Sequence, residues 1–139
     1  MVRSVSPLRY PGGKACLYEM LCHFLRHNHL TGCQYVEPFA GGAGLALSLL
    51  FQGEVAEIHI NDLDPAIYAF WYSVVNHTQD FIELIDSVNV NMDEWYRQKE
   101  LLNSDDILEK AFSVFFLNRT NRSGIIQGAG VIGGKEQKG

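Results

Sequence analysis

The sequence predicts an α/β fold in which short parallel strands alternate with helices, and three observations predict it. Val36-Glu37-Pro38-Phe39-Ala40-Gly41-Gly42-Ala43-Gly44-Leu45-Ala46-Leu47 passes from a short apolar run, through a turn of small residues, into an apolar helix start. Glu57-Ile58-His59-Ile60-Asn61 is β-branched and bounded by polar residues, which reads as a second strand. Asp64-Pro65 follows, an N-capping acid before proline at the first helical position. Strand, tight turn and helix in that order make half of a βαβ unit of the kind that binds nucleotides.

The chain of 139 residues is 47% hydrophobic and 12% aromatic, a globular composition sufficient for one domain with a core. No apolar run approaches the roughly eighteen residues of a membrane span. Arg3, Ser4, Ser6 and Pro7 lack the apolar stretch of a signal peptide, so a soluble, cytoplasmic protein is expected, with no membrane partner. Cys16, Cys22 and Cys33 form no C-x-x-C pair and are expected as free thiols. His23 and His27 stand one helical turn apart, but no third ligand accompanies them, so no metal is expected.

The net charge of −5 hides an asymmetry. Residues 1–51 carry four bases and two acids, residues 52–109 two bases and thirteen acids, and residues 110–139 five bases and one acid. The acidic total argues against indiscriminate nucleic-acid binding, while the basic end permits a local basic face.

The elements follow in order. Ser6 to Lys14 is an extended, turn-rich lead-in, because Pro7 and Pro11 disfavour helix in the residues before them. From Cys16 to His27, Leu17, Met20, Leu21, Phe24 and Leu25 recur at helical spacing and predict one apolar face. Asn28 and Gly32 end that helix. Gln34 to Pro38 is the first strand, Gly44 to Phe51 a helix, and Glu57 to Asn61 the second strand. The helix opened by Asp64-Pro65 runs to about Asn76 and is apolar nearly all round, which predicts burial. Helices over 79–88 and 92–102 follow. Ser104-Asp105-Asp106 caps another, carrying Ile107, Leu108, Ala111, Phe112, Phe115 and Phe116. After Leu117 the chain turns rich in Gly, Arg, Lys and Asn and reads as loop with a short hairpin.

Two phosphate-binding motifs fail. A G-x-G-x-x-G run from Gly42 would need glycine where Leu47 stands. Gly13-Lys14 lacks the upstream glycine, with Leu8 in its place, and Ala15 replaces the metal-binding hydroxyl of a P-loop. What remains is a nucleotide-like ligand without a long polyphosphate. Asp62 lies twenty residues beyond Gly42, the distance at which an acid accepts hydrogen bonds from ribose hydroxyls.

Ser6-Pro7-Leu8-Arg9-Tyr10-Pro11-Gly12-Gly13-Lys14, Glu37-Pro38-Phe39-Ala40-Gly41-Gly42, Asn61-Asp62-Leu63-Asp64 and Phe116-Leu117-Asn118-Arg119-Thr120-Asn121-Arg122-Ser123-Gly124 resemble four blocks of the Dam-type adenine-N6-specific DNA methyltransferases, in the family's order. The resemblance implies a Rossmann-like, S-adenosylmethionine-dependent fold, truncated, with a helical segment after the second strand. It also implies S-adenosylmethionine as cofactor and double-stranded DNA as the substrate of the complete form. Tyr10 and Lys14 then match the motif near the methionine end, and Phe39, Ala40, Gly41 and Gly42 the loop under the cofactor. Asp62 matches the ribose-binding acid, and Leu63 the apolar position beside adenine. Arg119 and Arg122, with Lys135 and Lys138, fall where the family enters its DNA-recognition region. Residues 1–117 would be the cofactor-binding part and 118–139 the start of that region.

The family's Asp-Pro-Pro-Tyr block, which accepts the amine hydrogens and stacks on the flipped base, is missing. The prolines are Pro7, Pro11, Pro38 and Pro65, and no two are adjacent. No catalytic residue is therefore assigned, and the chain reads as an N-terminal part that alone is inactive. With only two strands, self-association that completes the sheet is expected. Two alternatives stand beside this reading: a non-catalytic remnant that binds cofactor or a partner, and a methyltransferase acting on RNA or protein.

Overall fold

In the computed structural model, which describes residues 5–137, both expected strands form. Contacts divide the chain into two units, one up to Leu63 and one from Asp64.

In the first unit, β1 (Gln34–Glu37) and β2 (Glu57–Ile60) pair in parallel. Tyr35 lies opposite Ile58 and Glu37 opposite Ile60. The twofold alternation of a strand turns Tyr35, Glu37 and Ile58 inward and leaves Gln34, Val36, Glu57 and His59 exposed. Tyr35 and Ile58 pack on a core of Cys22, Leu25, Leu45, Leu49 and Val55. These come from helices α1 (Tyr18–His27) and α2 (Gly44–Phe51) and from the segment entering β2.

The expected helix from Cys16 enters through a 3-10 turn at Lys14–Leu17 before α1 begins. Its apolar face also differs from the one expected. Leu17, Met20 and Phe24 are exposed, whereas Tyr18, Leu21, Cys22 and Leu25 line the core. Both sets have helical spacing and share Leu21 and Leu25, so periodicity alone does not choose between them. Packing against α2 and the sheet does.

The second unit is helical: α3 (Pro65–Asn76), α4 (Thr78–Ser87), α5 (Met92–Leu101) and α6 (Ile107–Thr120). Asp64, Asn91 and Asp106 cap the first, third and fourth of these, each side chain accepting from a backbone N–H of the first turn at 2.8–2.9 Å. Aromatic rings form the core, with Phe70 edge-on to Phe81 at 5.8 Å and Phe81 edge-on to Phe112 at 6.0 Å. α3 is not buried all round: Tyr68, Tyr72 and Val75 are exposed along one side.

Asn118, Arg119 and Thr120 belong to the last turn of α6 rather than to a loop. Asn118 is fully buried, and its amide donates to the Gly124 carbonyl at 2.8 Å. Inside the unit this polar residue is satisfied, so it does not break the helix as its composition suggests. The expected hairpin reduces to an antiparallel bridge between Asn121 and Val131, with Arg122 N–H donating to Gly130 O and Ile132 N–H to Thr120 O. Lys138 lies outside the described residues. No helix among the described residues is long and apolar enough to cross a membrane.

Candidate functional site

The turn between β1 and α2 is tied to the end of β2. Asn61 N–H donates to Glu37 O at 3.1 Å, and Ala40 N–H donates back to Asn61 O at 2.8 Å, so the pairing of the strands continues past both. Gly41 N–H then donates to Asp62 Oδ2 at 2.7 Å. The bend is closed by Ala43 N–H to Ala40 O at 2.7 Å. Ala43 holds a positive φ of 48°, a conformation that costs an L residue about 1 kcal/mol or more, and it is buried. Asp62 is thus not the cap of α3; that position belongs to Asp64.

Glu37, which closes β1, is the site residue that sequence reasoning passed over. Its side chain is only 4% exposed. Lys14 reaches it from the lead-in, with Nζ 2.7 Å from Oε1, and also donates to Phe39 O at 2.6 Å. Both carboxylate oxygens are buried and neither has a hydrogen-bond partner of good geometry among the described residues, so Lys14 meets Oε1 as an ion pair. A charged residue ending an apolar strand was the available signal, since such a group is rarely buried unless paired. Burial pushes the neighbouring Tyr35 phenol above its ordinary value, and the negative charge of Glu37 adds to the effect.

Tyr10 packs on the turn. A Cβ at Gly41 would lie 2.6 Å from Tyr10 Cε1, and one at Gly42 would lie 2.8 Å from Tyr10 Cβ and 3.1 Å from Ser6 Oγ. The bare backbone of these glycines therefore makes room for the lead-in of the same chain. Ala40, Gly41 and Gly42 are buried, whereas Phe39 and Leu63 are 70% and 84% exposed. The first unit therefore gathers Tyr10, Lys14, Phe39, Ala40, Gly41, Gly42, Asp62 and Leu63 on the turn, its lead-in and the end of β2. The polar groups are two acids and a carbonyl, which accept, and one lysine, which donates, flanked by two exposed apolar side chains.

Arg119 and Arg122 belong to the second unit. Both are exposed, and the Arg119 guanidinium lies 5.6 Å from the centre of the Phe115 ring. The segment that carries Arg122 is held from beneath. Asn121 is 1% exposed; its Oδ1 accepts from Trp95 Nε1 at 2.7 Å, and its Nδ2 donates to Ile125 O and Ile126 O at 2.9 and 3.1 Å. Nothing in the sequence distinguished such an asparagine from one that contacts a ligand.

No curated protein matches the chain in sequence. A family model, that of the D12 class N6 adenine-specific DNA methyltransferases, matches residues 10–130. That match runs from Tyr10 through the glycine turn and Asp62 to the segment held by Asn121, and the chain belongs to this family of DNA methyltransferases.

Proposed function

We propose that residues 10–63 are the S-adenosylmethionine-binding part of a Rossmann-like adenine-N6 methyltransferase acting on double-stranded DNA. The observation that carries this reading is the hydrogen bond from Gly41 N–H to Asp62 Oδ2, which sets an acid at the end of β2 against the glycine turn after β1. Bound there, S-adenosylmethionine would supply an activated methyl group. Asp62 suits a ribose diol because a carboxylate accepts from two hydroxyls at once. Phe39 and Leu63 offer apolar surface to a purine, and the buried Glu37 carboxylate favours a ligand with a cationic end. Arg119 and Arg122 would meet phosphates or guanine edges.

Methyl transfer to an exocyclic amine also needs acceptors for the amine hydrogens, and residues 1–139 contain no Asp-Pro-Pro-Tyr block to provide them. We therefore expect these residues alone to bind cofactor without turnover.

Calorimetric titration with S-adenosylmethionine tests the reading. Wild type should bind. Asp62→Asn keeps an acceptor for Gly41 N–H but loses the charge, and should bind at least about tenfold more weakly, as loss of a charged hydrogen bond predicts. Absence of binding by wild type would reject the cofactor site. Methyl transfer to adenine-containing DNA by this chain alone would reject the inactive reading.

A further inference from the structure

The second unit holds a cavity of about 460 Å³ lined by residues of α4, α5 and α6. Pockets of this size take small molecules. Leu84 and Phe112 give it apolar lining, and its ionisable residues are Asp93, Glu94, Glu109 and Arg97. Arg97 Nη1 lies 3.1 Å from Glu94 Oε1 and balances that acid, which leaves Asp93 and Glu109 as the excess charge. The cavity is net negative.

Gln98 supplies an independent observation. It lines the same cavity and is 2% exposed. Its Nε2 donates to Glu94 Oε1 at 2.6 Å. A carboxylate only accepts, so this contact fixes which end of the amide is the donor and leaves Oε1 as the acceptor. Oε1 is buried and has no hydrogen-bond partner among the described residues. A buried acceptor left unmatched destabilises a fold, so its retention points to a donor that arrives from outside. A metal ion does not fit: among the described residues, no group of three or more His, Cys, Asp or Glu is placed to hold one. The chemistry that fits is positive charge, N–H donors and an aliphatic body.

We propose that this cavity is a binding site for a small aliphatic amine. Its ammonium donates to Gln98 Oε1 and faces the acids, while its carbon chain packs on Leu84 and Phe112. The site is built within the helical unit and is independent of the cofactor reading, which concerns the first unit alone.

The probe is 1,4-diaminobutane, titrated into the whole chain at constant ionic strength. Wild type should bind it, and the side-chain amide resonance of Gln98 should shift together with the backbone signals of Ser87 and Val88. Tetramethylammonium carries the charge without an N–H, and magnesium ion carries charge without an aliphatic body. Both should bind at least about tenfold more weakly, as loss of a hydrogen bond to a charged group predicts. Gln98→Met keeps the length of the side chain but removes the acceptor, and should weaken diamine binding about tenfold. Glu109→Gln changes an exposed side chain that can still accept from Ser104, and should weaken it about two- to threefold.

Shifts spread over Asp80, Glu83 and Asp86 with Gln98 unmoved would mean a diffuse counter-ion atmosphere and overturn the proposal. Equal binding of tetramethylammonium, or undiminished diamine binding by a folded Gln98→Met protein, overturns it too. If Gln98→Met does not fold, the Gln98 resonance of wild type and the Glu109→Gln affinity decide: no shift in the first, or no loss in the second, rejects the site.

Discussion

The ring of Tyr10 stands where a side chain at Gly41 would have to be, with Cε1 2.6 Å from the position of that missing Cβ. The glycine turn is thus one half of a contact whose other half is the lead-in. The turn after β1 and the segment Ser6–Lys14 are distant in sequence and a single packed object in the fold.

Alanine substitutions along the turn should follow this contact. At Gly42 the new methyl meets Tyr10 Cβ at 2.8 Å and Ser6 Oγ at 3.1 Å, both close to backbone. Overpacking of this kind costs about 1–3 kcal/mol. At Gly41 it meets the half-exposed ring, which can swing away, but φ of 51° adds about 1–2 kcal/mol of strain. Gly53 has φ of 73° and no neighbour within 4 Å, so Gly53→Ala should show strain alone. Urea melts of the three variants check the ranking; a Gly42→Ala protein as stable as wild type contradicts it.

Trp95→Phe should loosen the segment that carries Arg122. The substitution keeps most of the buried ring but removes the indole N–H that donates to Asn121 Oδ1, in a site where both residues are nearly inaccessible. Loss of a buried hydrogen bond of this kind costs about 0.5–1.5 kcal/mol. Denaturant melts should show that loss, and hydrogen exchange should show faster opening at Ile125 and Ile132. Unchanged exchange there would mean that the Asn121 contacts to Ile125 and Ile126 suffice alone.

Alkaline pH should destabilise the first unit. Burial, followed by the hydrogen bond and negative charge of Cys22, pushes the Tyr18 phenol from 10.0 up to about 12. A folded-state value above the unfolded one means that ionisation favours unfolding. This contribution to stability is complete below pH 10 and is lost as pH rises from 10.0 toward about 12. Tyr35 shifts the same way and steepens the loss. Thermal melts across that range should fall less steeply in Tyr18→Phe; an identical slope would remove Tyr18 as the cause.

The sheet should make the chain associate. β1 and β2 are both edge strands, and Val36 is 63% exposed on the face away from α2. Parallel sheets ordinarily have both faces covered and open edges invite pairing. Elution from size exclusion should shift toward dimer as concentration rises, and Val36→Lys should reduce the shift. One monomeric position at every concentration would refute it.

Much of this was legible in the residues. β1, α2, β2 and the start of α3 lie where the apolar runs, the glycine turn and Asp64-Pro65 place them, because each is decided within a few residues. The helix spans after them agree to within one residue, apart from α6. There Asn118, Arg119 and Thr120 read as loop by composition, yet the helix continues because Asn118 finds a partner in Gly124 that only the fold brings near.

The sequence by itself determined the family, the order of the strands and helices, and the placing of an acid after the second strand. Each of these depends on residue type and short-range spacing. Only the tertiary structure decided which stripe of α1 faces the core, that Tyr10 rather than open space backs Gly41 and Gly42, and that Lys14 spans 23 residues to neutralise Glu37. Those outcomes depend on close packing and on the need to pair a buried charge. Both act between groups that are neighbours in space and strangers in sequence.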